Sequence, residues 1–162
     1  MPRAWISLGS NIRPEESLRA ALKTLATHCG ELTLSPVYRS PAVGFAGEDF
    51  LNLVAGVVTE HPPESLRTLF RQIEDAQGRI RTCEKFSARC LDIDLLTYGD
   101  RIDPSTNLPR DEILRYAFVL QPLAVVAGYE KHPALGQTYA SLWRTLQKQG
   151  QVPLEAVPFA ME

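Results

Sequence analysis

Residues 90–98 read CLDIDLLTY, and their alternation decides the architecture. Successive strand side chains point to opposite faces, so Leu91, Ile93 and Leu95 fall on one side and Asp92 and Asp94 on the other. That is a strand with a buried face and a functional face. Toward the N-terminus, residues 79–89 are irregular and basic, and before them Pro62 and Pro63 open a helix. Its apolar stripe is Leu66, Leu69, Phe70, Ile73 and Ala76, ending at Gly78. Residues 50–59 (FLNLVAGVVT) are β-branched and apolar and read as a central strand, Phe50, Asn52 and Val54 facing one way and Leu51 and Leu53 the other. Residues 31–39 (ELTLSPVYR) read as its partner, with Pro36 demanding an edge position or a bulge. Residues 40–49 read as loop. Leu18, Ala21, Leu22 and Leu25 mark a helix from Pro14 to His28 that stops at Gly30. Residues 4–8 (AWISL) form the first strand, closed by a turn at Gly9-Ser10-Asn11.

The order is therefore βαββαβ, which predicts an α+β, ferredoxin-like antiparallel sheet with both helices on one face and the other face open. The chain of 162 residues, 44% hydrophobic, is one domain by size. Residues 1–98 form the ferredoxin-like core and 99–162 a C-terminal elaboration. The elaboration holds a turn at Gly99-Asp100, a Pro-rich loop at 103–109, helical stretches near 111–116 and 138–148, and a loosely attached tail at 150–162.

Charge is nearly balanced, 17 Lys+Arg against 19 Asp+Glu, so nothing global draws the chain to nucleic acid or an anionic membrane. No signal-peptide core or membrane-spanning apolar run is present, and the expectation is a cytoplasmic protein, monomeric for want of a heptad or long apolar edge. Cys29, Cys83 and Cys90 lack C-x-x-C spacing and read as free thiols. His28, His61 and His132 share no spacing, and none is assigned to catalysis or metal.

Asp92 and Asp94 project from one face with their roots roughly 6.5–7 Å apart, twice the strand rise. Such a pair, completed by phosphate oxygens and water, suits Mg²⁺, although a solvated strand face shows the same alternation. The flanking 79–89 stretch (RIRTCEKFSAR) sets Arg79, Arg81, Lys85 and Arg89 against Glu84, a cation row fit for a polyphosphate beside a metal pair. No P-loop occurs. Ser40, Pro41, Val43, Gly44, Phe50, Asn52, Phe86 and Phe118 form a second, apolar and amide set. Two phenylalanines can sandwich a flat heterocycle while Asn52 matches its edge, although each aromatic taken singly also reads as core.

Together these stretches resemble the 6-hydroxymethyl-7,8-dihydropterin pyrophosphokinase family of folate biosynthesis. The resemblance runs through ISLGSN (6–11), YRSPAVG (38–44), DFLN (49–52), IEDAQGRIR (73–81), RCLDIDLLTYG (89–99) and LPRDEILRYAFVLQPL (108–123). It implies transfer of the terminal diphosphate of ATP to the hydroxymethyl group of the pterin, giving AMP, with two Mg²⁺ ions held between Asp92, Asp94 and the phosphates. By the same resemblance Ser40, Pro41, Val43, Phe50, Asn52, Phe86 and Phe118 form the pterin pocket. Glu74, Arg79, Arg81, Arg89, Arg110 and Arg115 serve ATP, with Arg79 and Arg89 joining Asp92 and Asp94 in catalysis. Arg110 stands where the family often has histidine, and Phe86-Ser87-Ala88-Arg89 where it often has Trp-Gly-Pro-Arg.

The partners implied are ATP and the pterin, with no nucleic acid and no membrane. Two other readings fit part of the pattern. A paralogue acting on another pterin would keep the site and change the substrate. A non-catalytic RNA- or ligand-binding module would use the basic loop and aromatics, but two acids at the centre of its face would repel phosphate.

Overall fold

The alternation in β1 (Arg3–Ser10) sets up two cores, one on each side of the sheet. Ala4, Ile6 and Leu8 join the core under the first two helices, whereas Trp5 joins a second cluster on the opposite face. The computed structural model describes residues 1–41, 48–77 and 91–161. After β1 come α1 (Pro14–Cys29), β2 (Thr33–Leu34), β3 (Val37–Ser40), β4 (Phe50–Val58), α2 (Pro63–Ala76) and β5 (Asp92–Tyr98). The elaboration adds 3-10 turns at Pro104–Thr106 and Asp111–Leu114, then α3 (Ala117–Val126), α4 (Tyr139–Lys148) and β6 (Glu155–Val157).

The strands lie in the order β5-β1-β4-β3-β6, with β2 also on β4 and every pairing antiparallel. The first four are the ferredoxin-like arrangement expected from the sequence. Leu18, Leu22 and Leu25 of α1 and Leu66, Phe70 and Ile73 of α2 close one face over Leu53, Ala55 and Val57 of β4. Gly30 ends α1 at φ +87, a conformation that favours glycine.

Pro36 acts as a bulge. Leu34 pairs with Ala55 but Tyr38 with Asn52, so one extra residue is taken up between β2 and β3. The Ser35 hydroxyl replaces the lost ladder partner by accepting from the Val54 N–H at 2.9 Å.

Three expectations are corrected. First, Gly9 and Ser10 belong to β1 rather than to a turn, because both pair with β4. Second, the far face is not open throughout. Ile113, Val119, Leu120, Leu123 and Tyr139 pack on Trp5, Val54 and Leu96 and cover half of it. The helix responsible, α3, is apolar on most sides and carries Pro122 inside, so neither periodicity nor propensity marks it; burial between sheet and α4 stabilises it instead. Third, the tail is attached. β6 extends the sheet at β3, the Gln121 amide brackets Leu154 by accepting from its N–H at 2.6 Å and donating to its carbonyl at 3.3 Å, and the Arg19 guanidinium donates to the Ala160 carbonyl. Among the described residues no helix is long and apolar enough to cross a membrane.

His132 has a purely structural place. It is 3% exposed, and its Nδ1 accepts the N–H groups of Ala134 and Leu135, both at 3.2 Å, so the ring must be neutral there. Burial holds its pKa below the ordinary 6.5. A depressed pKa means that the unfolded chain binds the proton more readily, so this stability is present above about pH 6.5 and is lost as pH falls toward the folded value. Asparagine can supply an acceptor at the same point without titrating. Urea unfolding at pH 7.5 and pH 5.5 should therefore show a larger acid loss for the wild type than for His132→Asn.

Candidate active site

The uncovered half of the far face is a cleft enclosing about 600 Å³, part of it open to solvent. Its floor is made by the ends of three strands. Gly9 pairs with Asn52 on one side and with Asp92 on the other, and Ser7 pairs with Asp94. A Cβ at Gly9 would come within 2.7 Å of the Asn52 side-chain oxygen, so the missing side chain is what lets the amide lie across the floor. Asn52 is in turn fixed by donating to the Ser40 hydroxyl at 2.6 Å. Pro41, Phe50, Phe118 and Val119 line the apolar part of the cleft. Phe118 stacks on Tyr116 with ring centroids 4.9 Å apart.

The acidic part holds Asp92, Asp94 and Glu112. Ile93, between the aspartates, points into the helix-side core and is 5% exposed. Its N–H is accepted by the Glu74 carboxylate of α2 at 2.9 Å, which ties β5 to the helix. Arg110 is delivered by the preceding loop, which is tied down in several places. Its N–H bonds the Leu96 carbonyl at 2.8 Å, and Asn107, in the left-handed region at φ 57, accepts the Asp111 N–H at 3.0 Å. The Arg110 side chain reaches Asp94 Oδ1 at 3.4 Å and donates through Nε to Glu112. Burial first, then Asp92, pushes the Asp94 carboxyl up to about 7; Arg110 opposes this, and Glu112 and Glu74 add to it.

Of the residues singled out in the sequence, Ser40, Pro41, Phe50, Asn52, Asp92, Asp94 and Phe118 come together in this cleft. Arg110 touches it through Asp94. Glu74 is buried behind it, 3% exposed, and Arg115 lies apart, pairing with Asp111 at 3.2 Å and covering the Tyr116 ring. Val43, Arg79, Arg81, Phe86 and Arg89, along with Gly44, Cys83, Lys85 and Cys90, lie outside the described residues. Gly9, Ser7 and Glu112 were missed. A glycine continuing a strand pattern signals close approach, and it would have marked Gly9; nothing local distinguished Glu112 from a surface acid.

The fold and cleft define a ferredoxin-like α+β domain with an acidic, apolar-walled ligand site on the half of the sheet that the elaboration leaves clear. The family model described as 7,8-dihydro-6-hydroxymethylpterin-pyrophosphokinase (HPPK) matches residues 5–128. The 2-amino-4-hydroxy-6-hydroxymethyldihydropteridine pyrophosphokinase of Haemophilus influenzae is 37% identical over 136 residues, 79% of this chain and 83% of that protein. Its counterpart in Synechocystis is 40% identical over 145 residues, 86% of this chain and 73% of that one. The chain belongs to the 7,8-dihydro-6-hydroxymethylpterin-pyrophosphokinase family. A solved HPPK-DHPS in complex with substrates superposes with a TM-score of 0.72 at 13% identity, over 91% of this chain and 44% of that one. The wild-type Plasmodium falciparum HPPK-DHPS gives 0.70 at 12% identity, over 96% and 50%. This chain thus spans half or less of those solved proteins, and the likeness establishes the shared fold.

Crowding three acids into one cleft costs stability. A carboxyl raised from 3.8 to about 7 favours the fold while protonated and loses that contribution as pH rises through about 7. Each pKa unit is worth about 1.4 kcal/mol at most, discounted here because the Asp94 side chain is 27% exposed. In chelator at pH 8, Asp94→Asn should raise Tm by roughly 2–4 °C, the equivalent of about 1 kcal/mol in a chain of this size, and the gain should vanish at pH 4.

Proposed function

We propose that this chain performs the transfer for which its family is described, with the cleft as its active site. The activity is transfer of the diphosphate of ATP to the hydroxymethyl group of 6-hydroxymethyl-7,8-dihydropterin, yielding AMP and the pterin diphosphate in folate biosynthesis. The observation that carries the site is the meeting, on one strand-end floor, of an amide held edge-on, an aromatic wall and a carboxylate pair.

The pterin lies against Phe118 and Phe50, its polar edge meeting Asn52. The Ser40 hydroxyl accepts one amide hydrogen, which leaves one donor and the acceptor oxygen of Asn52 for the ligand. In this reading the hydroxymethyl group lies toward the Asp92 and Asp94 end of the cleft. Val43 and Phe86 complete this pocket, and Arg79, Arg81 and Arg89 carry the triphosphate, as the family resemblance implies.

The residues present fit Mg²⁺. The donors are hard oxygens on one strand face, and the Arg110 guanidinium already stands as a cation against Asp94. Asp92 and Asp94 would hold the two ions expected, and bound Mg²⁺ supplies neutralisation of phosphate charge and acidification of the attacking hydroxyl. The chain's own part is alignment. The hydroxyl oxygen must lie in line with the β-phosphorus and the oxygen leaving with AMP, and little covalent help is needed beyond that. Asp94 or Asp92 takes the hydroxyl proton at a carboxylate oxygen. Glu74 keeps Asp92 and Asp94 in register by holding the Ile93 N–H between them, and Arg110 answers phosphate charge where the family often has histidine. Arg115, which pairs with Asp111 apart from the cleft, joins the ATP set by the family resemblance alone. Within this reading the enzyme acts as a monomer in the cytoplasm on two small molecules.

Incubation with ATP, Mg²⁺ and hydroxymethyl-dihydropterin should release AMP in step with pterin diphosphate; ATP consumption without a pterin product would reject the assignment. Asp92→Ala and Asp94→Ala should each lower turnover about a hundredfold or more with the fold retained, the scale of losing a main electrostatic element. Near-normal AMP release by either variant would remove the pair from catalysis. Gly9→Ala should displace the Asn52 amide and weaken pterin binding in calorimetry while ATP binding persists; equal weakening of both would assign Gly9 to folding alone.

A further inference from the structure

Glu112 is 4% exposed, carries a carboxylate into the cleft, and has no part in the transfer described above. Its partner is the Nε of Arg110, whereas the Nη2 end of the same guanidinium reaches Asp94 at 3.4 Å. The guanidinium is a rigid planar fork, so one acid fixes its root and the other holds its tip. The backbone beneath is also fixed, since the Arg110 N–H bonds the Leu96 carbonyl and the Glu112 carbonyl accepts the N–H groups of Arg115 and Tyr116 at 3.1 Å each. The Asp94 end is the loose one, because 3.4 Å is long for a charge-assisted hydrogen bond, which normally falls near 2.7–2.9 Å.

We infer that Arg110 is a latch pivoting on Glu112: its Nη end holds Asp94 in the empty cleft, and yields that carboxylate when Mg²⁺ arrives with nucleotide, passing to phosphate while Nε stays on Glu112. This rests on the assignment of Asp92 and Asp94 as the metal-holding pair. Glu112 is a positioning residue, acting through Arg110. The arrangement gives the empty cleft a counter-charge for its crowded acids and makes the same cation available to the triphosphate. It also makes metal binding without nucleotide weak, because the guanidinium competes for the Asp94 carboxylate. The apparent affinity of a site is reduced by the fraction of time it is competent, so a latch closed about nine-tenths of the time weakens metal binding roughly tenfold.

Mn²⁺ binding to the nucleotide-free protein, read by electron paramagnetic resonance, tests this. Arg110→Gln should bind Mn²⁺ roughly tenfold tighter than wild type, and Arg110→Lys, which keeps a cation within reach of Asp94, should restore weak binding. Unchanged Mn²⁺ affinity in Arg110→Gln would overturn the latch. Nitrogen NMR of the Arg110 side chain supplies the pivot test. The Nε–H signal should persist when Mg²⁺ and a nonhydrolysable ATP analogue are added, and should be lost in Glu112→Ala; its loss in the loaded wild type would overturn the pivot. Asp94→Asn separates the two readings. If it leaves Mn²⁺ binding intact, the metal assignment fails, whereas if it abolishes binding and Arg110→Gln changes nothing, the latch alone fails.

Discussion

The register of β5 against β1 is the constraint on which the molecule depends. Ile6 faces Leu95, Leu8 faces Ile93, and Gly9 faces Asp92, so leucines and isoleucines meet under the helices while both aspartates emerge on the far side. A slip of one residue would drive two carboxylates into that core and expose Ile93 and Leu95. Two devices secure it. The Glu74 carboxylate on the Ile93 N–H ties the end strand to α2. Beyond the acids, the ladder passes from Ile6 opposite Leu95 to Trp5 opposite Thr97, so Leu96 is an extra residue. The alternation then changes phase: Leu96 joins the second core and Tyr98 returns to the first.

The far face is thereby divided between packing and chemistry, and two glycines mark the division. Gly56 lies opposite Trp5, where a Cβ would strike the indole at 2.4 Å, so the ring lies flat on β4 and anchors α3 and α4 with its Nε1 donating to Glu130. Gly9 does the corresponding service at the other end, where the room goes to Asn52 and the ligand floor. The packed half holds the elaboration rigidly enough that Phe118 and Val119, at the edge of the second core, also serve as cleft wall. Function is set at the border of a core, where side chains are held by packing on one side and free to meet a ligand on the other.

Electrostatically the cleft runs against stability. Burial, Asp92 and Glu112 raise the cost of ionising Asp94, with Arg110 as its counter-charge. A chain selected for stability alone would not gather acids there; one that must hold cations against an anionic cosubstrate gains from doing so.

The sequence by itself determined the βαββαβ core, the face on which Asp92 and Asp94 emerge, the pairing of 31–39 with 50–59, and the disturbance at Pro36. All of these follow from local periodicity and from what proline removes from a ladder. The assembly of Ser40, Asn52, Phe50 and Phe118 into one pocket was legible through family resemblance, since no spacing in the chain joins residues so far apart. Only the tertiary structure decided what the elaboration does. Helix α3 carries a proline and an apolar surface on most sides, and β6 is three residues long, so both exist because something is there to pack against. The same holds for Gly9, Glu74 and Glu112. Their roles depend on which atom of a distant strand or loop each one meets, and that is settled by packing rather than by pattern.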